Sequence, residues 1–361
     1  MFFKGVRKME ERVNESLLEN VVNNMARNRN VLGAVLCVEK GDGSFSWTGG
    51  AGNMQEGHRY FITSVTKLYT TAMILRLRAE GLLRLDDKLS KFFSDEILDG
   101  LHHYNGIDYS REITVTHLLA NTSGLPDYLS YKVNGNTADS ELFNKGIDQS
   151  WPLEKVLEAT KSLRPKFIPG QKGKVLYSNT NYRLLGSVIE KIAGMRIDAV
   201  FQKYIFDELN LIDTYAYSNV KDNTPAPMYF QLQAIQIPNC MASVTAEGGI
   251  VSTAKETMAV LKGFFNGQFF PASYLEELKK WNFILFPYQF HFGIGLEKLW
   301  VPRLLSPVKP INEILGFWGS SGAFAFFNPD KDLYFTGTVN QSNGLGHKAA
   351  FKAMLKIIKS A

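Results

Sequence analysis

Cysteine is scarce in this chain: 361 residues contain two, Cys37 and Cys240. They stand in unlike contexts, VLCVE and PNCMA, without a CxxC or CxxH neighbour, which argues against a disulfide framework and a zinc site. Long apolar runs are lacking as well. The longest, Val31 to Val38, is strand-sized, well short of the about 18 residues that cross a bilayer. No excess of one charge is present either, since 40 Lys and Arg against 35 Asp and Glu leave +5 spread along the chain, too weak and diffuse for a nucleic-acid footprint. The start, MFFKGVRKMEERVNE, lacks the apolar stretch of about 7–15 residues that an export signal needs. The sequence as written is therefore expected to be cytoplasmic, or extracytoplasmic if it is a processed form. The six histidines make no HExxH, and no GxSxG occurs, so the signatures of metalloproteases and α/β-hydrolases are missing. Neither a metal nor an organic cofactor is expected.

What remains is an ordinary globular composition, 45% hydrophobic and 21% charged, long enough for one large domain or about two of typical size. Between Met9 and Arg29 the apolar positions Val13, Leu17, Val21 and Met25 repeat every four residues and predict a peripheral helix with one narrow stripe. VLGAVLCVEK and SFSWTG flank Gly41-Asp42-Gly43, the pattern of a β-hairpin. Ser64 to Glu80 is apolar on nearly every face, as a helix buried in the middle of a protein is. From Asp86 to about Ala242, helical stretches are joined by turn clusters such as NTSGLPDY and NVKDNTPAP. Strand texture returns in FGIGLEKL, GAFAFFN and LYFTGTVN, and an amphipathic helix from His347 to Lys359 closes the chain. This order predicts an α+β fold: an antiparallel sheet flanked by helices, built from residues 1–85 and 243–361, with an inserted, mainly helical lobe at 86–242.

The chemistry has to come from Ser-x-x-Lys, and the chain holds four instances, at Ser64, Ser218, Ser252 and Ser306. Pro307 and Pro310 disfavour a helix at Ser306, Ser218 lies among turn formers, and Ser252 precedes a capping box at Thr253 to Glu256 with Lys255 and Glu256 expected in solvent. Ser64 alone opens the buried helix. Lys67, three residues on, shares its face, and desolvation there lowers the lysine pKa so that it can take or relay the serine proton. A second element is Tyr177-Ser178-Asn179, which precedes the helix TNYRLLGSVIEKIAG, expected to end at Gly194. A tyrosine near a lysine is expected to ionise below its usual pKa of about 10 and act as general base.

FITSVTKLYTTAMILRLRAEGLLRLDDKLSKFF, HLLANTSGLPDY, YSNTNYRLLGSVIEKIAG and AEGGIVSTAKETM, in this order, closely resemble the class C β-lactamase-like serine hydrolases, which include D-alanyl-D-alanine carboxypeptidases, D-aminopeptidases and esterases. The resemblance runs from about Val31 to the C-terminus. It implies a β-lactamase/transpeptidase-like fold and an acyl-enzyme mechanism with Ser64 as nucleophile, Lys67 as its proton partner, Tyr177 as base and acid, and Asn179 on the substrate. The family's third motif, Lys/His-Thr/Ser-Gly, is replaced here by Phe317-Trp318-Gly319, with Ser320-Ser321-Gly322 as the alternative register. In the first register the N–H of Ser320 completes an oxyanion hole with that of Ser64. The cation that binds β-lactam and peptide carboxylates in the family is missing from both, and His347 or Lys348 is a candidate replacement, against the alternative of a solvated first helical turn. The expected function is hydrolysis of a small ester, amide or peptide through acyl-Ser64. Alternatives are a D-amino-acid peptidase or carboxypeptidase, a weak β-lactamase, or a penicillin-binding or sensor protein that does not turn over.

Overall fold

The computed structural model describes residues 13–284 and 290–361. Eight antiparallel strands form the main sheet: β1 (Gly33–Lys40), β2 (Ser46–Gly52), β3 (Asn282–Ile284), β4 (Phe290–Phe292), β5 (Glu297–Leu299), β6 (Leu315–Trp318), β7 (Ala323–Asn328) and β8 (Leu333–Thr338), in the spatial order β3-β4-β5-β6-β7-β8-β1-β2. The β1–β2 hairpin turns where the Gly-Asp-Gly cluster predicts it. The N-terminal strands are central or edge partners of the C-terminal ones, so the two ends of the chain build one sheet.

Helix α1 (Glu15–Met25) buries Leu17, Leu18, Val21, Val22 and Met25. Its face is wider than the four-residue stripe because Leu18 and Val22 also turn inward; residues 9–12 of the expected helix lie outside the described residues. Helix α2 (Thr66–Ala79) buries every residue from Thr66 to Leu75, as its all-round apolar pattern requires. Ser64 sits one turn earlier than a helix start, in the short 3-10 turn Thr63–Val65. Helix α3 (Asn179–Ala193) ends at Gly194 in the left-handed conformation, φ 64°, which glycine adopts without steric cost. Helix α4 (Ala254–Phe265) starts at Thr253, whose side chain accepts the Glu256 N–H, and α5 (Leu345–Ser360) closes the chain. Glu256 is not solvated as expected; its carboxylate accepts the Ile212 and Asp213 amides.

The middle of the chain is mostly short helices and turns with two- and three-residue strand pairs. It is stitched to the rest by a small sheet in which Ile250–Ser252 pairs with both Tyr60–Phe61 and Tyr215–Ala216. The largest apolar cluster also runs through both parts, with Leu184 and Phe201 beside Leu68 and Phe335. Among the described residues no helix is long and apolar enough to cross a membrane.

Candidate active site

Ser64 projects from a turn held by close packing on both sides. Thr63 has φ +43°, a left-handed conformation that costs a β-branched residue of order 1–3 kcal/mol. The compensation is a clasp to the turn after β6. The Ser321 N–H donates to Thr63 Oγ1 at 3.2 Å, the two hydroxyls are 3.2 Å apart, and Ser321 Oγ donates to the Phe61 carbonyl at 2.8 Å. Gly319 is pressed against the same turn: a Cβ there would stand 2.4 Å from the Ile62 carbonyl oxygen. Replacing Ser321 with Ala removes its hydroxyl's share of the clasp, and kcat is expected to fall about tenfold with KM nearly unchanged, since a small misplacement of the nucleophile is costly. Steady-state kinetics separates this from a binding defect.

Two side chains donate to Ser64 Oγ, Lys67 Nζ at 2.9 Å and the Tyr177 hydroxyl at 2.9 Å. Lys67 is fully buried and also donates to Asn179 Oδ1 at 2.8 Å and to the Glu247 carbonyl at 2.9 Å. Burial lowers its pKa to about 8, against the opposing pull of Glu247, Asp127 and Glu297. Tyr177 moves the other way: burial, with Glu297 and Asp127 nearby, raises its pKa well above the usual value. The expected low-pKa tyrosine base is thus replaced by a neutral phenol that donates, because no cation outweighs its desolvation. Asn179 opens α3, whose first turn docks on the SGLPDY loop through Ser178 and Thr180 hydroxyls donating to the Pro126 carbonyl at 3.0 and 2.8 Å. That docking lets Asn179 Nδ2 donate to Asp127 Oδ2 at 2.9 Å. Tyr217-Ser218-Asn219, the competing Tyr-Ser-Asn, stays in a loop away from this cluster, with the Tyr217 hydroxyl on the Asp222 carbonyl at 3.0 Å.

These groups open into a cavity of about 300 Å³. Trp318, Gly319 and Ser320 line it, the first of the two registers. The Ser320 N–H makes no hydrogen bond among the described residues, so it is free to meet an oxyanion beside Ser64. Phe317 does not line the cavity. Alternation along β6 turns its ring into the core, 5.7 Å from that of Phe292 and 6.4 Å from that of Tyr182, so it packs beneath the site instead of lining it.

Neither proposed cation supplies charge. His347 lines the cavity, but its Nε2 lies 2.8 Å from the Gly319 carbonyl oxygen, its ring 4.8 Å from that of Trp318, and burial lowers its pKa, which favours the neutral imidazole. It buttresses the end of β6. Lys348 is exposed on α5 and faces a different cavity with Val21, Asn24 and Met25. Lys348→Ala is accordingly expected to leave kcat/KM within about twofold for anionic and neutral substrates alike, measurable in parallel assays.

Sequence reasoning missed four carboxyl groups that line the cavity: Asp127, Asp139, Glu247 and Glu297. Glu247 is buried, pairs with Arg183 at 3.0 Å and accepts from the Tyr128 hydroxyl at 3.2 Å. Glu297 is 2% exposed, accepts the Trp318 N–H at 3.0 Å, and is pushed up to about 8 by burial. Asp127 is pushed up to about 6 by burial, with the like charge of Asp139 adding to it. Two signals existed in the sequence: an aspartate directly after the Leu-Pro turn, and a lone glutamate inside the apolar strand run of FGIGLEKL.

A serine bracketed by a buried lysine and a tyrosine, beside an open backbone donor just past the end of β6, is the arrangement found in serine hydrolases of the transpeptidase-like fold. The Beta-lactamase family model matches residues 17–357, and the chain belongs to that family. It is 27% identical over 213 residues to the D-alanyl-D-alanine-carboxypeptidase/endopeptidase AmpH of Escherichia coli (strain K12), covering 59% of this chain and 50% of that protein. It is 28% identical over 192 residues to penicillin-binding protein 4* of Bacillus subtilis (strain 168), covering 52% of this chain and 38% of that protein. The chain thus spans half or less of the length of these relatives. A D-stereospecific amidohydrolase from Streptomyces sp. superposes with a TM-score of 0.76 at 25% identity, over 94% of this chain and 99% of that one.

Proposed function

We propose that the chain hydrolyses small amides or esters that lack a carboxylate, through an acyl-Ser64 intermediate. The observation that carries this is the pair of 2.9 Å contacts on Ser64 Oγ from Lys67 and Tyr177. With its pKa near 8, part of the Lys67 population is a neutral amine at physiological pH, and that amine takes the serine proton as Oγ bonds to the carbonyl carbon. The oxyanion meets the backbone N–H groups of Ser64 and Ser320. Collapse breaks the bond to the amine or alcohol, which leaves with a proton passed from Lys67 through the Tyr177 hydroxyl. Water then attacks the acyl-enzyme by the same route in reverse, releasing the acid and restoring Ser64. Asn179 holds Lys67 and borders the substrate. No metal or organic cofactor enters any step, and the partner is a small molecule.

Intact-mass spectrometry after exposure to a fluorophosphonate is expected to show one adduct, absent from Ser64→Ala; a full adduct on that variant would overturn the assignment. Among the described residues the cavity lining contains no lysine or arginine, so the charge-assisted hydrogen bond that holds a substrate carboxylate has no donor there, a loss of about 10- to 150-fold. Short-chain p-nitrophenyl esters are accordingly expected to exceed cephalosporins and peptides ending in D-Ala in kcat/KM by at least that factor. Equal rates for β-lactams would show that a carboxylate is recognised after all.

A further inference from the structure

We propose that Glu297 is a positioning residue for the reaction: its side chain replaces a missing rung of the main sheet and so holds the Ser320 N–H at the oxyanion hole. The inference rests on the serine-hydrolase reading and adds a residue outside the nucleophile set on which the rate depends.

The run FGIGLEKL places a carboxyl where the strand is buried. Glu297 is 2% exposed and makes no ion pair among the described residues, a costly position for an acid unless its oxygens are used. The use is visible in the ladder. β5 and β6 pair Lys298 with Leu315 and Glu297 with Gly316. β6 runs on to Trp318, but β5 has already turned away at Gly295, which takes φ +68°. The Gly295 carbonyl accepts the Thr71 hydroxyl at 3.3 Å, and the Leu296 carbonyl accepts the Gly293 N–H at 2.8 Å. The Trp318 N–H therefore meets no backbone acceptor from β5, and Glu297 Oε2 accepts it at 3.0 Å. The next residue is pinned from the other flank. Gly319 donates to the Ala323 carbonyl at 2.8 Å, while its own carbonyl accepts the Gly322 N–H at 3.0 Å and lies 2.8 Å from His347 Nε2. Trp318 and Gly319 are thus tied on both sides, and the Ser320 N–H is left as the open donor beside Ser64. The Glu297 tie lies two residues from that donor. Its loss frees the end of β6, and a displacement of about 1 Å at such a donor costs about 10²-fold in rate. Lys67, Tyr177 and Tyr182 are the titratable groups that face Glu297. Burial pushes Glu297 up to about 8, so at neutral pH it is mainly the neutral acid, whose carbonyl oxygen glutamine can copy.

Three variants of the full chain, assayed on p-nitrophenyl acetate at neutral pH with thermal melts to confirm folding, separate reach from charge. Glu297→Gln keeps an acceptor at the same reach and is expected to hold kcat to within about fivefold. Glu297→Asp keeps the carboxyl one methylene short, and Glu297→Leu fills the space without an acceptor; each is expected to lose about 10²-fold in kcat with KM within about threefold. Phenylboronic acid gives a second reading. Its boron bonds to Ser64 Oγ as the serine proton passes to Lys67, and a boronate oxygen takes the oxyanion's place. Its affinity is expected to fall in parallel with kcat for Glu297→Asp and Glu297→Leu and to hold for Glu297→Gln. An active Glu297→Asp beside an inactive Glu297→Gln would show that charge matters and the rung does not. Wild-type kcat in both Glu297→Asp and Glu297→Leu, or losses confined to KM, would equally overturn the role; where Glu297→Leu does not fold, the other two variants decide. Fluorophosphonate labelling of the wild-type chain reads the underlying question separately. Labelling at Ser64 with kcat indifferent to Glu297 removes only the positioning role, whereas absence of labelling removes the hydrolase reading and this role with it.

Discussion

Ser64→Ala is expected to lower hydrolysis of any substrate found by at least about 10³-fold, the scale on which nucleophile deletions act in serine hydrolases. Ser218→Ala and Ser252→Ala are expected to stay within about tenfold. The contrast follows from environment. Only Ser64 Oγ receives both an amine and a phenol at 2.9 Å. Ser252 is buried against hydroxyls, with Thr214 at 2.7 Å and Thr257 at 3.1 Å, and has no base beside it. Ser218 lies exposed in a loop. Initial rates on a p-nitrophenyl ester, with thermal melts to confirm folding, decide this; a Ser64→Ala enzyme that kept its rate would move the whole site elsewhere.

Lys67→Arg is expected to be nearly as damaging as Lys67→Ala, each losing about 10²–10⁴-fold in kcat, the span of a positioned proton-transfer group. A guanidinium stays protonated in proteins, so arginine keeps the charge and loses the function. The pH profile carries the same information. With Lys67 lowered to about 8, the active form is the one that has lost its proton, so kcat/KM rises with pH and levels off above about 8. At pH 6 it stands about 100-fold below the plateau. Asp127, Glu247 and Glu297 face Lys67 and hold its pKa up; Glu297 titrates in the same range, which broadens the limb. Tyr177 stays protonated across this window and contributes no limb of its own. A flat profile from pH 6 to 9, or a functional arginine variant, would exclude proton transfer through Lys67.

Much of the scaffold was legible because it rests on local periodicity. The all-round apolar pattern of Ser64 to Glu80 predicts burial on every face, and α2 has it. Gly194, Thr253 and the Gly-Asp-Gly turn mark element ends through backbone conformations and caps that neighbouring residues dictate. Of the candidate site, Ser64 and Lys67 were readable as a pair because i and i+3 share a helical face, and Tyr177 and Asn179 because they sit at the mouth of a packed helix. The choice among the four Ser-x-x-Lys instances likewise rested on local context.

Where the expectations departed, the deciding contacts join residues far apart in the chain. Phe317 reads as a substrate-facing aromatic, and the pleat of β6 sends it to the core against Tyr182. His347 reads as a cation, and its burial against Trp318 and Gly319 favours the neutral form. Tyr177 reads as an easily ionised phenol beside a lysine, and desolvation with nearby carboxylates reverses the sign. By itself, the sequence determined the elements and the pairing of Ser64 with Lys67 on one face, since periodicity, capping and helical spacing act within a few residues. Tertiary structure alone decided the charge of the cavity, because Asp127, Asp139, Glu247 and Glu297 come from separate loops and strands, and electrostatic character depends on distance and desolvation in space rather than on order along the chain.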